Sequence, residues 1–136
     1  MLLNASHLRT LGAAMDRIVP SERSGSKAHA HIVDFIVELI SNGALDIEMY
    51  QSGLTALEEE ACIVGGASFE SLQAEVQDDI LASVEAGQVV TKWSVLPTRF
   101  IRSLVSHCME GYCRFASQQV TLVDTSFNAV GFDFRI

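Results

Sequence analysis

The chain is poor in positive charge. Nine Lys and Arg stand against seventeen Asp and Glu, a net charge of −8, and the nine are scattered rather than gathered into a stripe. Nucleic-acid binders concentrate Lys and Arg against the phosphates, so nucleic acid is not expected as a partner. No run of 18 or more apolar residues occurs, and hence no membrane span is predicted. No N-terminal basic region followed by an apolar stretch is visible. The expectation is a cytoplasmic protein, or a periplasmic one if a leader was removed or a partner carries it. Cysteine is scarce too: three residues, an odd count, with no C-x-x-C pair. Cys108 and Cys113 fall on poorly matched faces of one helix, which points to three buried reduced thiols. A disulfide from Cys62 to one of the other two is the alternative.

Loops that carry chemistry are also missing. There is no G-x-G-x-x-G, no P-loop and no G-x-S-x-G turn, so the chain offers no cradle for a flavin or nucleotide and no nucleophile elbow. His29 and His31 are two apart at the start of a helix and diverge in direction, and no further ligand is paired with them. No catalytic, cofactor-binding or metal-binding residue is assigned.

What is present is apolar periodicity. With 49% hydrophobic residues in 136, the chain is long enough for one domain, residues 1–136, with a real core. Tyr50, Leu54, Leu57 and Ala61 recur at helical steps. Gly65-Gly66 is a natural helix stop. Ser68 then caps a further helix with Leu72, Val76, Ile80, Leu81 and Val84 on its stripe, and the two fold back as a hairpin that other helices must cover.

Upstream, Asn4 caps a first helix carrying Leu8, Leu11, Ala14, Met15 and Ile18, which Pro20 ends. Ser21–Lys27 reads as a solvated loop. A second helix runs from about Ala28 to Ser41, with Ile32, Phe35, Ile36, Leu39 and Ile40 inward and Asn42-Gly43 closing it. Downstream of Gly87, Trp93 stands alone in a weakly patterned segment. Pro97 then opens a fifth helix with Phe100, Ile101, Leu104, Val105, Cys108, Met109 and Tyr112. From Gln118 the period shifts toward alternation. The fold class is therefore mostly α: about five helices in a bundle, with an extended C-terminal tail over about 118–136.

The order of these motifs resembles the gluconate 2-dehydrogenase subunit 3 family. Asp16-Arg17-Ile18-Val19-Pro20 is similar to its D-R-I-I-P signature. The series Tyr50/Gly53/Leu54/Leu57/Ala61 and Phe69/Leu72/Gln77/Leu81 look like its next two blocks. Phe100 to Gly111-Tyr112 resembles its F…L…GYY block, and Val130-Gly131-Phe132 sits where a terminal I-G-Y occurs. The chain departs from the pattern in having no leader, in keeping only Gly25 of the usual P-G-A start, and in carrying Cys113 for the second tyrosine. The glycine-rich stretch that usually follows is missing as well. What the resemblance implies is a non-catalytic small subunit in a hetero-oligomeric sugar or alcohol dehydrogenase. It would bind and stabilise or mature a large FAD-dependent flavoprotein of the glucose–methanol–choline (GMC) oxidoreductase type, with the FAD in that partner and no cofactor in this chain. The alternative class is a stand-alone helical binding module or a small enzyme of unknown chemistry.

Expectations for single residues follow. Asp16 or Arg17 ties down the turn at Pro20 by a charge-assisted hydrogen bond. His107 is a satisfied, partly buried histidine. Glu58-Glu59-Glu60 is a solvated acidic face. Leu54, Leu57, Leu72 and Phe100 lie in the core. The partner surface is expected on Trp93 with its loop and on the tail, with Phe127, Phe132 and Phe134 as aromatic anchors; the competing reading has these rings cover the chain's own helices.

Overall fold

The computed structural model describes residues 3–19 and 21–122, with the helix backbone alone at 21–27 and 118–122. Among the described residues five α-helices follow one another: α1 Ala5–Ile18, α2 Ser21–Ser41, α3 Ile47–Glu60, α4 Ala74–Glu85 and α5 Pro97–Leu122. No strand occurs among the described residues. A π-helical turn, Ala61–Gly65, prolongs α3, and a 3-10 turn, Phe69–Ser71, precedes α4.

Local chemistry sets most of the helix ends. The Asn4 side chain accepts from the His7 backbone N–H at 2.7 Å, and the Asn4 N–H donates to His7 Nδ1 at 3.3 Å, so two orphan donors of α1 are satisfied reciprocally. With Nδ1 accepting, His7 carries its proton on Nε2, which reaches Thr55 Oγ1 on α3 at 2.9 Å. Val19, just before Pro20, has left helical angles at φ −112°, ψ 112°, as the proline ring demands. Asp46 caps α3 through the N–H groups of Glu48 and Met49. Gly43 and Gly66 stand at φ +83° and +82°, the left-handed region where a helix can stop without a Cβ clash.

Four expectations are corrected. Ser21–Lys27 is helix, the first two turns of α2. Ser and Glu suit a helix N-terminus, and one glycine costs only about 1 kcal/mol in a helix whose later turns are buried. The stretch after Ser68 does not run straight into a helix. Leu72 and Gln73 are extended, and α4 begins at Ala74. There Phe69 plunges into the core, and its backbone is satisfied by side chains from elsewhere: Glu58 accepts from its N–H at 3.1 Å, and Gln77 donates to its carbonyl at 2.8 Å. Nor do α3 and α4 pair as a hairpin. They make hardly any direct contact, because α1 packs against both and α4 lies on α5. Finally, residues 118–122 continue α5 instead of starting an extended tail; the rest of that tail, with Phe127, Phe132 and Phe134, lies outside the described residues.

The core centres on Phe100. Its ring lies so close to the α3 backbone that a Cβ on Gly53 would stand 2.3 Å from Phe100 Cδ1. Tyr50 meets it edge-on at 6.1 Å between centroids, and Trp93 at 6.0 Å. Leu54, Leu57 and Phe100 are fully buried, as expected; Leu72 is half-buried against the Gly65 backbone. On the far side, α2 and α5 approach closely at Gly111, where a Cβ would lie 3.0 Å from Phe35 and 3.2 Å from Ile32.

Phe100→Ala should lower stability by about 3–5 kcal/mol. Gly53→Ala, which adds a single methyl, should cost roughly 1–3 kcal/mol because the ring has nowhere to retreat. Urea unfolding of both variants checks this, and a Gly53→Ala protein as stable as the parent would refute the close approach.

Candidate interaction site

The polar residues of the motifs come first, because the fold decides whether they are free. At the end of α1, Asp16 Oδ1 lies 2.6 Å from His29 Nδ1, and His29 Nε2 lies 2.9 Å from the Val19 carbonyl. His29 is buried and therefore staples the third turn of α2 to the end of α1. Arg17 forms a two-pronged pair with Asp78 of α4, at 2.8 and 3.0 Å. That guanidinium holds the Asp78 carboxyl below its ordinary value. Asp16 thus acts at the end of α1, as expected, whereas Arg17 ties α1 to α4 instead; His31 faces elsewhere, its ring 5.4 Å from Phe115.

The acidic run is not a solvated face. Glu60 follows Leu57 by three residues and Ala56 by four, so helix geometry turns it inward, where it is 3% exposed. Its carboxylate accepts from the backbone N–H groups of Val90 and Thr91 at 3.0 and 2.7 Å. It also accepts from the Thr91 hydroxyl at 2.5 Å and from Trp93 Nε1 at 3.3 Å. Burial alone would push this carboxyl up; the bonds from Thr91, Trp93 and Val90 outweigh it and hold it below its ordinary value. Glu58 accepts from Thr10 and Phe69. Only Glu59 points to solvent.

Glu60 thereby fixes the segment between α4 and α5. From Val89 to Leu96 its residues alternate: Val89, Thr91, Trp93 and Val95 turn inward, and Val90, Lys92, Ser94 and Leu96 outward. Trp93 is half-buried, its ring toward Phe100 and its N–H on Glu60. The outward residues Val90 and Leu96 are 63% and 69% exposed, and Ile63 and Val64 on the π-helical turn are 64% and 56% exposed. These four exposed aliphatics were not singled out from the sequence. The period-two pattern of residues 89–96 was the available signal for two of them.

Buried Tyr50 and half-buried His107 form a second pair, Oη to Nδ1 at 2.6 Å. Burial pushes the Tyr50 phenol up, so it stays protonated and donates. His107 then accepts at Nδ1 and keeps its proton on Nε2. Burial also lowers the His107 pKa below its ordinary value, and Glu110 offsets only part of this. His107 is thus a satisfied histidine, as expected. The three cysteines are free, but only Cys108 is buried, its thiol pushed up to about 12. Cys62 and Cys113 are exposed, which corrects the expectation of three buried thiols: five helical steps carry Cys113 to the opposite side of α5 from Cys108, and Cys62 shares the outward face of the π-helical turn with Ile63.

His107 also lines an open groove of about 730 Å³ along the first half of α5, bounded by Gly87, Leu96, Pro97, Thr98, Arg99, Arg102, Ser103 and Ser106. A smaller hollow of about 310 Å³ lies between α3 and Lys92–Ser94. No cluster of metal-ligating side chains is present among the described residues, and no helix among them is long and apolar enough to cross a membrane.

The fold and these contacts define an α-helical domain whose motif residues build its interior: Tyr50, Gly53, Leu54, Leu57, Ala61, Phe69, Gln77 and Phe100 are all core or core-facing. A family model described as gluconate 2-dehydrogenase subunit 3 matches residues 5–133, and the chain belongs to that family. By that description it is one subunit of a multi-subunit dehydrogenase. No significant match was found among curated proteins or solved structures.

Among the described residues four groups lie below their ordinary values, His7 and His107 by burial and Glu60 and Asp78 by their hydrogen-bond partners, and His107 and Glu60 illustrate the pH signature. The folded state holds His107 below its unfolded pKa near 6.5 and Glu60 below 4.5, so in each case the unfolded chain binds protons first as pH falls. Stability should therefore drop in two stages, below about pH 6.5 and again below about 4.5. Thermal melts across that range test it. His107→Gln should weaken the first stage, and Glu60→Gln should weaken the second, to which Asp78 also contributes, while costing roughly 1–3 kcal/mol at neutral pH.

Proposed function

We propose that this chain is the non-catalytic small subunit that binds and stabilises or matures a large FAD-dependent oxidoreductase subunit of the GMC type, acting on a sugar or alcohol. The observation that carries this reading is the family match over residues 5–133, on a chain whose motif residues are engaged in its own packing. Asp16, Arg17, Glu60, Tyr50 and His107 are each held by a neighbour, so the contribution of the chain is a shaped surface. The FAD belongs to the large subunit, and this chain holds no cofactor of its own. Trp93 serves that surface by pinning the 89–96 segment from beneath, so that Val90 and Leu96 are presented outward. Phe127, Phe132 and Phe134 add aromatic anchors beyond α5.

Purification of the tagged chain from its native host tests the reading. The expected result is a yellow complex containing a GMC-type flavoprotein, whereas the chain expressed by itself is colourless and prone to aggregate through its exposed aliphatics. Recovery of the chain from its host without any flavoprotein would refute it. Deletion of residues 127–136 should abolish assembly and leave the melting temperature nearly unchanged.

A further inference from the structure

Hydrogen-bond donors dominate the polar lining of the groove along α5. Arg99 and Arg102 project from its wall, with Ser103, Ser106 and the ring of His107 beside them. Since Tyr50 occupies Nδ1 of His107, the only group that ring offers to the groove is its Nε2–H. Among the described residues no carboxylate lines the groove. Glu85 reaches Arg102 only at 4.0 Å between two exposed side chains, a contact worth little; Glu110, which acts on His107, pairs with Arg114 instead. On a chain of net charge −8 this concentration of cations stands apart. Arg9, Arg17 and Arg114 are engaged by Glu70, Asp78 and Glu110, whereas Arg99 has no carboxylate partner among the described residues.

The spread of the donors identifies what they fit. From Arg99 to His107 is eight helical steps, about 12 Å, too long for one small anion to bridge and well matched to a few residues of extended chain. Leu96, 69% exposed, stands at one end as an apolar seat.

Resting on the function proposed above, we propose that this groove docks an acidic segment of the large subunit. Carboxylates of that segment lie on Arg99 and Arg102, hydroxyl and imidazole donors complete their shells, and an aliphatic or aromatic residue covers Leu96. Arginine forks suit such carboxylates, and the match sets the orientation of the complex.

The test is made on the full chain in its native host. A photo-crosslinking residue at Ser106 should capture the flavoprotein at a peptide rich in Asp or Glu. The same residue at Val64, on the π-helical turn, should not give that peptide. The double variant Arg99→Glu/Arg102→Glu should reduce co-purified flavoprotein at least tenfold. Its melting temperature should stay within about 2 °C of the parent, because both side chains are exposed. Arg99→Lys should retain most of the assembly. Arginine placed at the crosslinked acidic residue should restore binding to the double variant. Undiminished flavoprotein with the double variant, or a Ser106 crosslink to residues 123–136 of the chain itself, would overturn the groove and leave the subunit reading standing. Absence of flavoprotein with the unaltered chain would overturn that reading, and the groove with it.

Discussion

The ring of Phe100 rests against bare backbone at Gly53, and that approach holds the rest of the molecule in place. It brings the first turn of α5 against the middle of α3, at a separation that no residue with a Cβ at position 53 would permit. Tyr50 and Trp93 close around the same ring. Tyr50, once seated, reaches His107 a further two turns along α5, and Trp93 reaches Glu60. One apolar contact therefore sets the positions of two hydrogen-bonded groups, and those in turn set the 89–96 segment and the wall of the groove.

Polar groups of the family signature and of the acidic run, buried and exposed alike, are held by long-range partners among the described residues, and this explains why a family signature can be polar without being a reacting centre. Asp16, Arg17, Glu58, Glu60 and Gln77 each bind backbone or side chains more than seven residues away. Leaving the interior partners of buried Glu60 or Gln77 unpaired would cost on the order of 1–3 kcal/mol. A small domain of net charge −8 has little margin for such losses. The constraint falls on shape and satisfaction, and what remains for function is the outward set: Val90, Leu96, Ile63, Val64 and the arginines of α5.

Much of the fold was legible in order. The caps at Asn4 and Gly43, the break before Pro20, the left-handed stop at Gly66 and the stripe from Phe100 to Tyr112 are local signals that stand where their chemistry places them, except that Val105 of that stripe, like Leu8 of the α1 stripe, is exposed. Ser21–Lys27 misled because Ser, Gly and charged residues serve a solvated loop and a solvated helix N-terminus equally well. Glu58–Glu60 misled because a run of like charges hides the helical step that turns its third member inward. For the candidate site, the alternation from Val89 to Leu96 was present in the sequence but short, and it did not reveal which face was covered.

What the sequence by itself determined was the helical class, the inward stripes and the places where backbone must turn, because each follows from contacts within three or four residues along the chain. Only the tertiary structure decided that α1 would separate α3 from α4, that Glu60 would be buried beneath Thr91 and Trp93, and that Tyr50 would reach His107. Those outcomes depend on pairs some twenty to sixty positions apart. No local preference can encode such a pairing; it is fixed when Phe100 finds Gly53 and the interior closes around them.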